Sequence, residues 1–284
     1  MKHFKYYKPL ALKEAWELKK KIPGSLFIAG GTDMLVGIKN SEIHPPALIS
    51  LRSIPGLNSI ETNEVTQIGA LATISDIIRN PELKEDFPVL VEAAKNLGSM
   101  QIRNVATIGG NLCNGSPCAD MALPLLVMEA KVRLQTAKEK REIPINEFFK
   151  GPGKSCLASH EILTDILLDP PSKNTKAVFM KKGRVKMDLA VASVAVRLDM
   201  EGNKCLKARI AAGSVAPVPL RLSKVEAVLE GSTLTQKHTV EAQRLAEDNV
   251  IPITDIRSTE EYRRQITGVL VKRAVERALE WSQA

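Results

Sequence analysis

Two short segments hold residue types and spacings capable of chemistry. They are Phe27-Ile28-Ala29-Gly30-Gly31-Thr32-Asp33-Met34 and Thr107-Ile108-Gly109-Gly110-Asn111-Leu112-Cys113-Asn114-Gly115-Ser116. Each contains a glycine pair. Without a Cβ, an anion can approach the main-chain N–H closely, and successive amides in a turn form an anion-binding concavity. Thr32, Thr107, Asn111 and Ser116 add hydroxyl or amide groups. A diphosphate has two charged groups, which two such turns could grip from opposite sides. A single glycine pair after a strand is by default a tight turn. Neither segment reads G-x-G-x-x-G, which disfavours a Rossmann site, and neither reads G-x-x-x-x-G-K-[ST], which excludes a P-loop. The residues alone therefore point to phosphate-binding turns and no further.

No other cluster competes with them. Cys113 and Cys118 have the spacing of the first pair of a plant-type iron–sulfur motif, but Cys156 and Cys205 stand alone. The first two read instead as small buried residues near the second turn. His3, His44, His160 and His238 form neither a metal-ligand spacing nor a triad. No catalytic side chain and no metal set is expected on this chain.

The elements that must position the turns follow from hydrophobic periodicity. Residues 11–21 form an amphipathic helix through Leu12, Ala15, Trp16 and, less regularly, Leu18, stopped by Pro23-Gly24. Strands are predicted at 26–29, 47–51, 66–71, 105–108 and 131–136. Helices are predicted at 75–79, capped by Ser75, at 88–97 with proline in its first turn, and at 122–129. Each glycine turn is thus expected to follow a strand. Pro170-Pro171-Ser172-Lys173-Asn174 reads as a linker. Beyond it come strands at 189–198 and 206–212, then helices at 220–229 and 240–247. A last helix runs from near Ser258, with Glu261 at capping-box spacing, to about Trp281. Its expected apolar stripe is Tyr262, Ile266, Val269, Leu270, Ala274 and Val275.

A length of 284 residues suggests two domains. With 44% hydrophobic and 25% charged residues the chain can bury an ordinary globular core. An aromatic content of 4% argues against a stacking surface for single-stranded nucleic acid. The net charge of +8 would suit nucleic acid, an anionic cofactor or an acidic partner. The lysines are dispersed, however: Lys19, Lys20 and Lys21 at a helix end, Lys138 and Lys140 at a hairpin turn, and Lys181 and Lys182. They read as solvated surface, Lys181 excepted, so no nucleic-acid partner is expected. The N-terminus lacks the apolar core of a signal peptide, and the longest apolar stretch, 121–132, is broken by Pro124, Glu129 and Lys131. A cytoplasmic protein without direct membrane insertion is expected.

Ala29-Gly30-Gly31-Thr32-Asp33, the block Ile102-Arg103-Asn104-Val105-Ala106-Thr107-Ile108-Gly109-Gly110-Asn111, and the following Ser116-Pro117 and Asp120 together resemble one family. It is that of the FAD-binding subunit of xanthine dehydrogenases and carbon monoxide dehydrogenases. The resemblance continues through 179–196, 208–221 and Tyr262-Arg263. It implies an α+β fold with a two-part FAD-binding domain of the PCMH-like type at 1–171 (subdomains about 1–55 and 56–171). A small α+β flavoprotein domain would follow at 172–284. It further implies that 27–34 wraps the FAD diphosphate through the amides of Gly30, Gly31 and Thr32, and that 107–111 closes over it. Asp120 would contact the nucleotide end, although helix capping is its plainer reading. Leu97 and Leu163 would flank the cofactor, although such leucines are more often core. Lys181, or Met180 one residue earlier, would lie near the flavin. Asp188 would serve a turn or domain packing. The implied role is electron transfer to NAD, a quinone or oxygen. The implied partners are a large molybdenum-cofactor subunit and a small [2Fe-2S] subunit, in a dimer of heterotrimers. The competing readings are a stand-alone FAD-dependent oxidoreductase and a scaffold that has lost flavin.

Overall fold

The structure, a computed structural model, describes residues 3–280, so the predicted helix end at Trp281 lies outside the described residues. Of the four sheets among the described residues, three organise the fold around the site, the fourth being the two-stranded pair Phe149–Gly151 and Lys154–Ser155. Lys5–Tyr7, Ala47–Ser50 and Leu26–Ile28 form a parallel sheet with Ala47–Ser50 in the centre. Every residue of that central strand is buried. The helix Leu12–Lys21 packs over it through Ala15, as its amphipathic pattern requires.

The second sheet is antiparallel and five-stranded, in the order Ile60–Thr62, Thr66–Gly69, Ile162–Leu168, Lys131–Gln135, Lys140–Pro144. Its central strand, Ile162–Leu168, is buried along its whole length. Register slips between Leu163 and Asp165, a bulge next to the cavity described below. The helices Pro88–Asn96 and Ala122–Val127 belong to the core of this part.

The third sheet, in the order Thr175–Lys182, Ala192–Glu201, Lys204–Gly213, Leu220–Arg221, is also antiparallel. Side chains alternate across a strand. Accordingly Ala177 and Phe179 enter the core shared with Pro88–Asn96 and Ala122–Val127, while Val178 and Met180 pack against the other core. That second core is covered by the helices Ser223–Leu229, Gln236–Asp248 and Glu260–Glu280. The mixed α+β expectation therefore holds.

Several local expectations need correction. Ser75 does not cap its helix. Thr73 does: its Oγ1 accepts from the Asp76 amide while the Asp76 carboxylate accepts from the Thr73 amide, a full capping box around Ile74–Arg79. The last helix is capped by Thr259, whose Oγ1 accepts from the Tyr262 amide, and not by Ser258. Its buried face carries Arg263, Thr267, Leu270, Val271, Ala274, Val275 and Ala278, whereas Tyr262 is exposed. Residues 220–229 divide into a two-residue strand and the helix Ser223–Leu229. Residues 105–108 are not a strand. Val105 donates back to Ile102 in a turn, and Thr107 opens the helix Ile108–Cys113.

Candidate functional site

The two glycine segments meet. A Cβ placed on Gly30 would lie 2.2 Å from the Val105 carbonyl oxygen, so the first bend packs directly on the backbone that leads into the second. Gly31 has φ +74°, the left-handed region that glycine occupies without strain. Between and below the bends lies a cavity of about 740 Å³. Of the expected site residues, Phe27, Ile28, Ala29, Gly30, Gly31, Thr32, Asp33, Met34, Leu97, Thr107, Gly109, Gly110, Asn111, Asp120, Leu163 and Lys181 line it.

Ile108 and Ser116 are not among its lining residues. Ile108 is fully buried in the hydrophobic core, where the first turn of its helix directs it. The Ser116 Oγ accepts from the Cys118 amide and stabilises a turn.

The bends offer different chemistry. Among the described residues the amides of Gly30, Gly31 and Thr32 donate to no protein acceptor, which leaves them free for an anion. The second bend has already spent the amides of residues 108–111. Ile108 and Gly109 donate to the carbonyls of Ala72 and Ala70, Gly110 to Thr107 Oγ1, and Asn111 to the Thr107 carbonyl. Its glycines serve close packing instead: a Cβ on Gly109 would lie 2.6 Å from that of Ala70. The expectation that both bends present free amides is therefore corrected for the second.

At one side of the cavity stands a buried ion pair. Lys181 Nζ donates to Asp120 Oδ2 at 2.7 Å and to the Asn96 carbonyl at 3.1 Å. The two side chains are 6% and 5% exposed. The other carboxylate oxygen, Asp120 Oδ1, is buried with no partner. Burial pushes the Asp120 carboxyl above its ordinary range, against the pull of Lys181. Asp120 caps no helix, since Ala122–Val127 has no side-chain cap. The alternation along Thr175–Lys182 decides between the two candidates there: Lys181 lines the cavity and Met180 packs into the opposite core. A pair 2.7 Å apart cannot serve opposite ends of an extended dinucleotide, so the separate posts expected for Asp120 and Lys181 cannot both hold.

Other lining residues went unnoticed in the sequence. Lys19 borders the cavity instead of decorating a solvated helix end. Its Nζ donates to the Ser25 carbonyl and lies 5.4 Å from the Phe27 ring centroid; burial lowers its pKa. Met187, Asp188 and Leu189 form part of the wall. Asp188 does build a turn, since its carboxylate accepts from Arg184 and from the Leu189 amide. Cys113 is exposed on the cavity wall, not buried as expected, and Cys118 is half-buried. Among the described residues no three His, Cys, Asp or Glu side chains gather in a metal-binding group. No helix among them is long and apolar enough to cross a membrane.

The free amides, the orphaned Asp120 Oδ1 and the neighbouring ammonium suit a group that is both anionic and hydrogen-bonding, as a flavin dinucleotide is. Comparison with known proteins agrees. Residues 2–170 match the family described as the FAD binding domain in molybdopterin dehydrogenase, and residues 177–278 match the CO dehydrogenase flavoprotein C-terminal domain. The chain is 32% identical to the carbon monoxide dehydrogenase medium chain of Afipia carboxidovorans, over 97% of this chain and 96% of that one. It is 31% identical to the nicotinate dehydrogenase FAD-subunit of Eubacterium barkeri, over 97% and 96%. Carbon monoxide dehydrogenase from Hydrogenophaga pseudoflava superposes with a TM-score of 0.95 at 31% identity, covering 98% of each chain. With family matches over residues 2–170 and 177–278 and relatives aligned over nearly its whole length, this chain belongs to the family of FAD-binding medium subunits of the molybdenum hydroxylases.

Proposed function

We propose that this chain holds FAD as the electron-relay subunit of a molybdenum hydroxylase complex and leaves oxidation of the organic substrate to a partner. The observation that carries this reading is the convergence, in one cavity, of the free amides at Gly30, Gly31 and Thr32 with the buried Lys181–Asp120 pair and its unpartnered oxygen. When bound, FAD supplies both hydride and one-electron chemistry. The chain's own residues hold and tune it. The amides of residues 30–32 take the diphosphate, and the compact second bend lets the cofactor approach the backbone. Asp120 and Lys181 serve the same end of the cofactor, the isoalloxazine end. With FAD bound, Asp120 Oδ1 would accept a hydrogen bond from it and the Lys181 ammonium would hold positive charge beside it. Leu97 and Leu163 provide apolar walls. No general acid, base or nucleophile is needed from this chain.

On this reading residues 1–171 form the two-part FAD-binding domain, with subdomains at about 1–55 and 56–171, and residues 172–284 form the C-terminal domain. The partners are a large molybdenum-cofactor subunit and a small [2Fe-2S] subunit, assembled as a dimer of heterotrimers in the cytoplasm. Electrons arrive from the [2Fe-2S] clusters and leave to NAD, a quinone or oxygen. The names "medium chain" and "FAD-subunit" borne by relatives support the subunit role. The test is to isolate the native complex, record its visible spectrum and identify the accompanying chains. FAD at one equivalent per chain with two partner subunits is expected. A colourless complex would leave the scaffold reading, and substrate oxidation by this chain alone would favour a stand-alone oxidoreductase.

A further inference from the structure

The functional reading leaves Arg263 unused, although it is a buried cation, only 2% exposed, in the first turns of the helix Glu260–Glu280. A buried guanidinium is costly unless its donors are engaged. Here Nη1 donates to the carbonyls of Val191 and Ser214, each at 2.9 Å, and Nη2 donates to Asp255 Oδ1 at 2.7 Å, while Nε is buried without a partner. Asp255 is itself held by the amides of Arg257 and Ser258.

The destinations of these bonds matter. The Val191 amide donates to the Lys182 carbonyl, closing residues 183–190 into a loop whose two ends are pinned beside Lys181. That loop supplies Met187, Asp188 and Leu189 to the cavity wall. Ser214 sits at φ +66°, in the left-handed region, and its amide donates to the Pro117 carbonyl. Pro117 leads into Cys118 and Asp120, which line the cavity beside Lys181. One guanidinium therefore ties the loop after Lys181 to the segment before Asp120. A lysine, a point charge without the planar fork, cannot reach all three acceptors in this way.

We propose that Arg263 is a positioning residue for the cofactor. By clamping the 183–191 loop and, through Ser214, the 117–120 segment, it holds that side of the cavity wall in place and fixes the aim of the Lys181–Asp120 pair. The proposal rests on the FAD-binding reading above and adds to it a residue that does not line the cavity. The test uses the full chain within its purified complex. Arg263→Lys is compared with Val271→Ala, a truncation of a fully buried residue of the same helix. Measured are FAD release after dilution, the visible circular dichroism of the flavin, and hydrogen exchange at 183–191 and 117–120. Arg263→Lys should release FAD about tenfold faster, with altered dichroism and faster exchange in both segments. Val271→Ala should lower the melting temperature yet leave release and dichroism as in the wild type. Arg263→Lys with wild-type release, or Val271→Ala with equally fast release, would overturn the clamp while leaving the FAD reading intact. A wild-type complex without FAD would overturn both.

Discussion

Lys181 Nζ and Asp120 Oδ2 lie 2.7 Å apart across 61 residues of sequence, joining the third sheet to the segment that follows the second glycine bend. The pair is nearly closed to solvent, and the remaining Asp120 oxygen has no protein partner. An unsatisfied buried acceptor costs roughly 1–3 kcal/mol. A donor on the cofactor would relieve that cost.

Removing one partner should therefore cost more than removing both. Asp120→Asn strands an ammonium in the interior and should lower stability by roughly 3–5 kcal/mol. The double variant Asp120→Leu with Lys181→Met, which removes both charges and leaves no buried amide in their place, should recover most of that loss in urea unfolding. Its FAD affinity should nevertheless stay well below wild type in a fluorescence titration. A double variant that binds FAD normally would remove the pair from the cofactor site.

The contact between the bends can be probed with a single methyl group. Gly30→Ala drives a Cβ into the Val105 carbonyl and should cost roughly 1–3 kcal/mol while weakening FAD retention. Gly37→Ala, in the helix Met34–Lys39 with only ordinary contacts around its new Cβ, should keep FAD and gain up to about 1 kcal/mol. Thermal melts with and without added FAD distinguish the two.

Lys19 tests whether charge around the first bend matters. Lys19→Gln should weaken FAD binding about two- to fivefold at low salt, in keeping with a partly exposed cation. The difference from wild type should shrink as salt is raised. An affinity unchanged at every ionic strength would return Lys19 to a structural role.

Glu129 reports on acid stability. Burial would raise its pKa, but hydrogen bonds from Lys207 and Arg209 overcome that and hold it at about 2, below its ordinary 4.5. A carboxylate depressed in the folded state stabilises above its unfolded pKa, and that contribution is lost as pH falls through the folded value. Glu129→Gln should thus unfold at lower urea than wild type at neutral pH. The gap between the two should close between about pH 4.5 and 2. A gap that stays constant over that range would mean that the carboxylate charge is not the stabilising feature.

Much of this site was legible before any coordinates. Glycine pairs beside polar residues announced the bends, because few roles other than close approach or special backbone angles require them. Their detailed use was less visible. Val105 to Ile108 is too short an apolar run to separate a strand from a turn entering a helix, and the cap at Thr107 decided the matter. The central strand Ile162–Leu168 escaped notice because burial on both faces removes the alternation that marks a half-buried strand. Lys19 looked like one of three solvated lysines, since only the tertiary fold turns it toward the cavity. The pairing of Lys181 with Asp120 and the reach of Arg263 to Val191 and Ser214 join distant stretches of sequence, where local pattern carries no signal.

The placement of Lys181 on the third sheet also bears on the order in which a nascent chain becomes competent. A polypeptide emerging from the ribosome presents both glycine bends long before the lysine, and the lysine well before the helix that bears Arg263. On the proposed reading the cavity is completed only once the third sheet has been made, so a fragment ending before Lys181 would lack one of its walls and should hold FAD poorly.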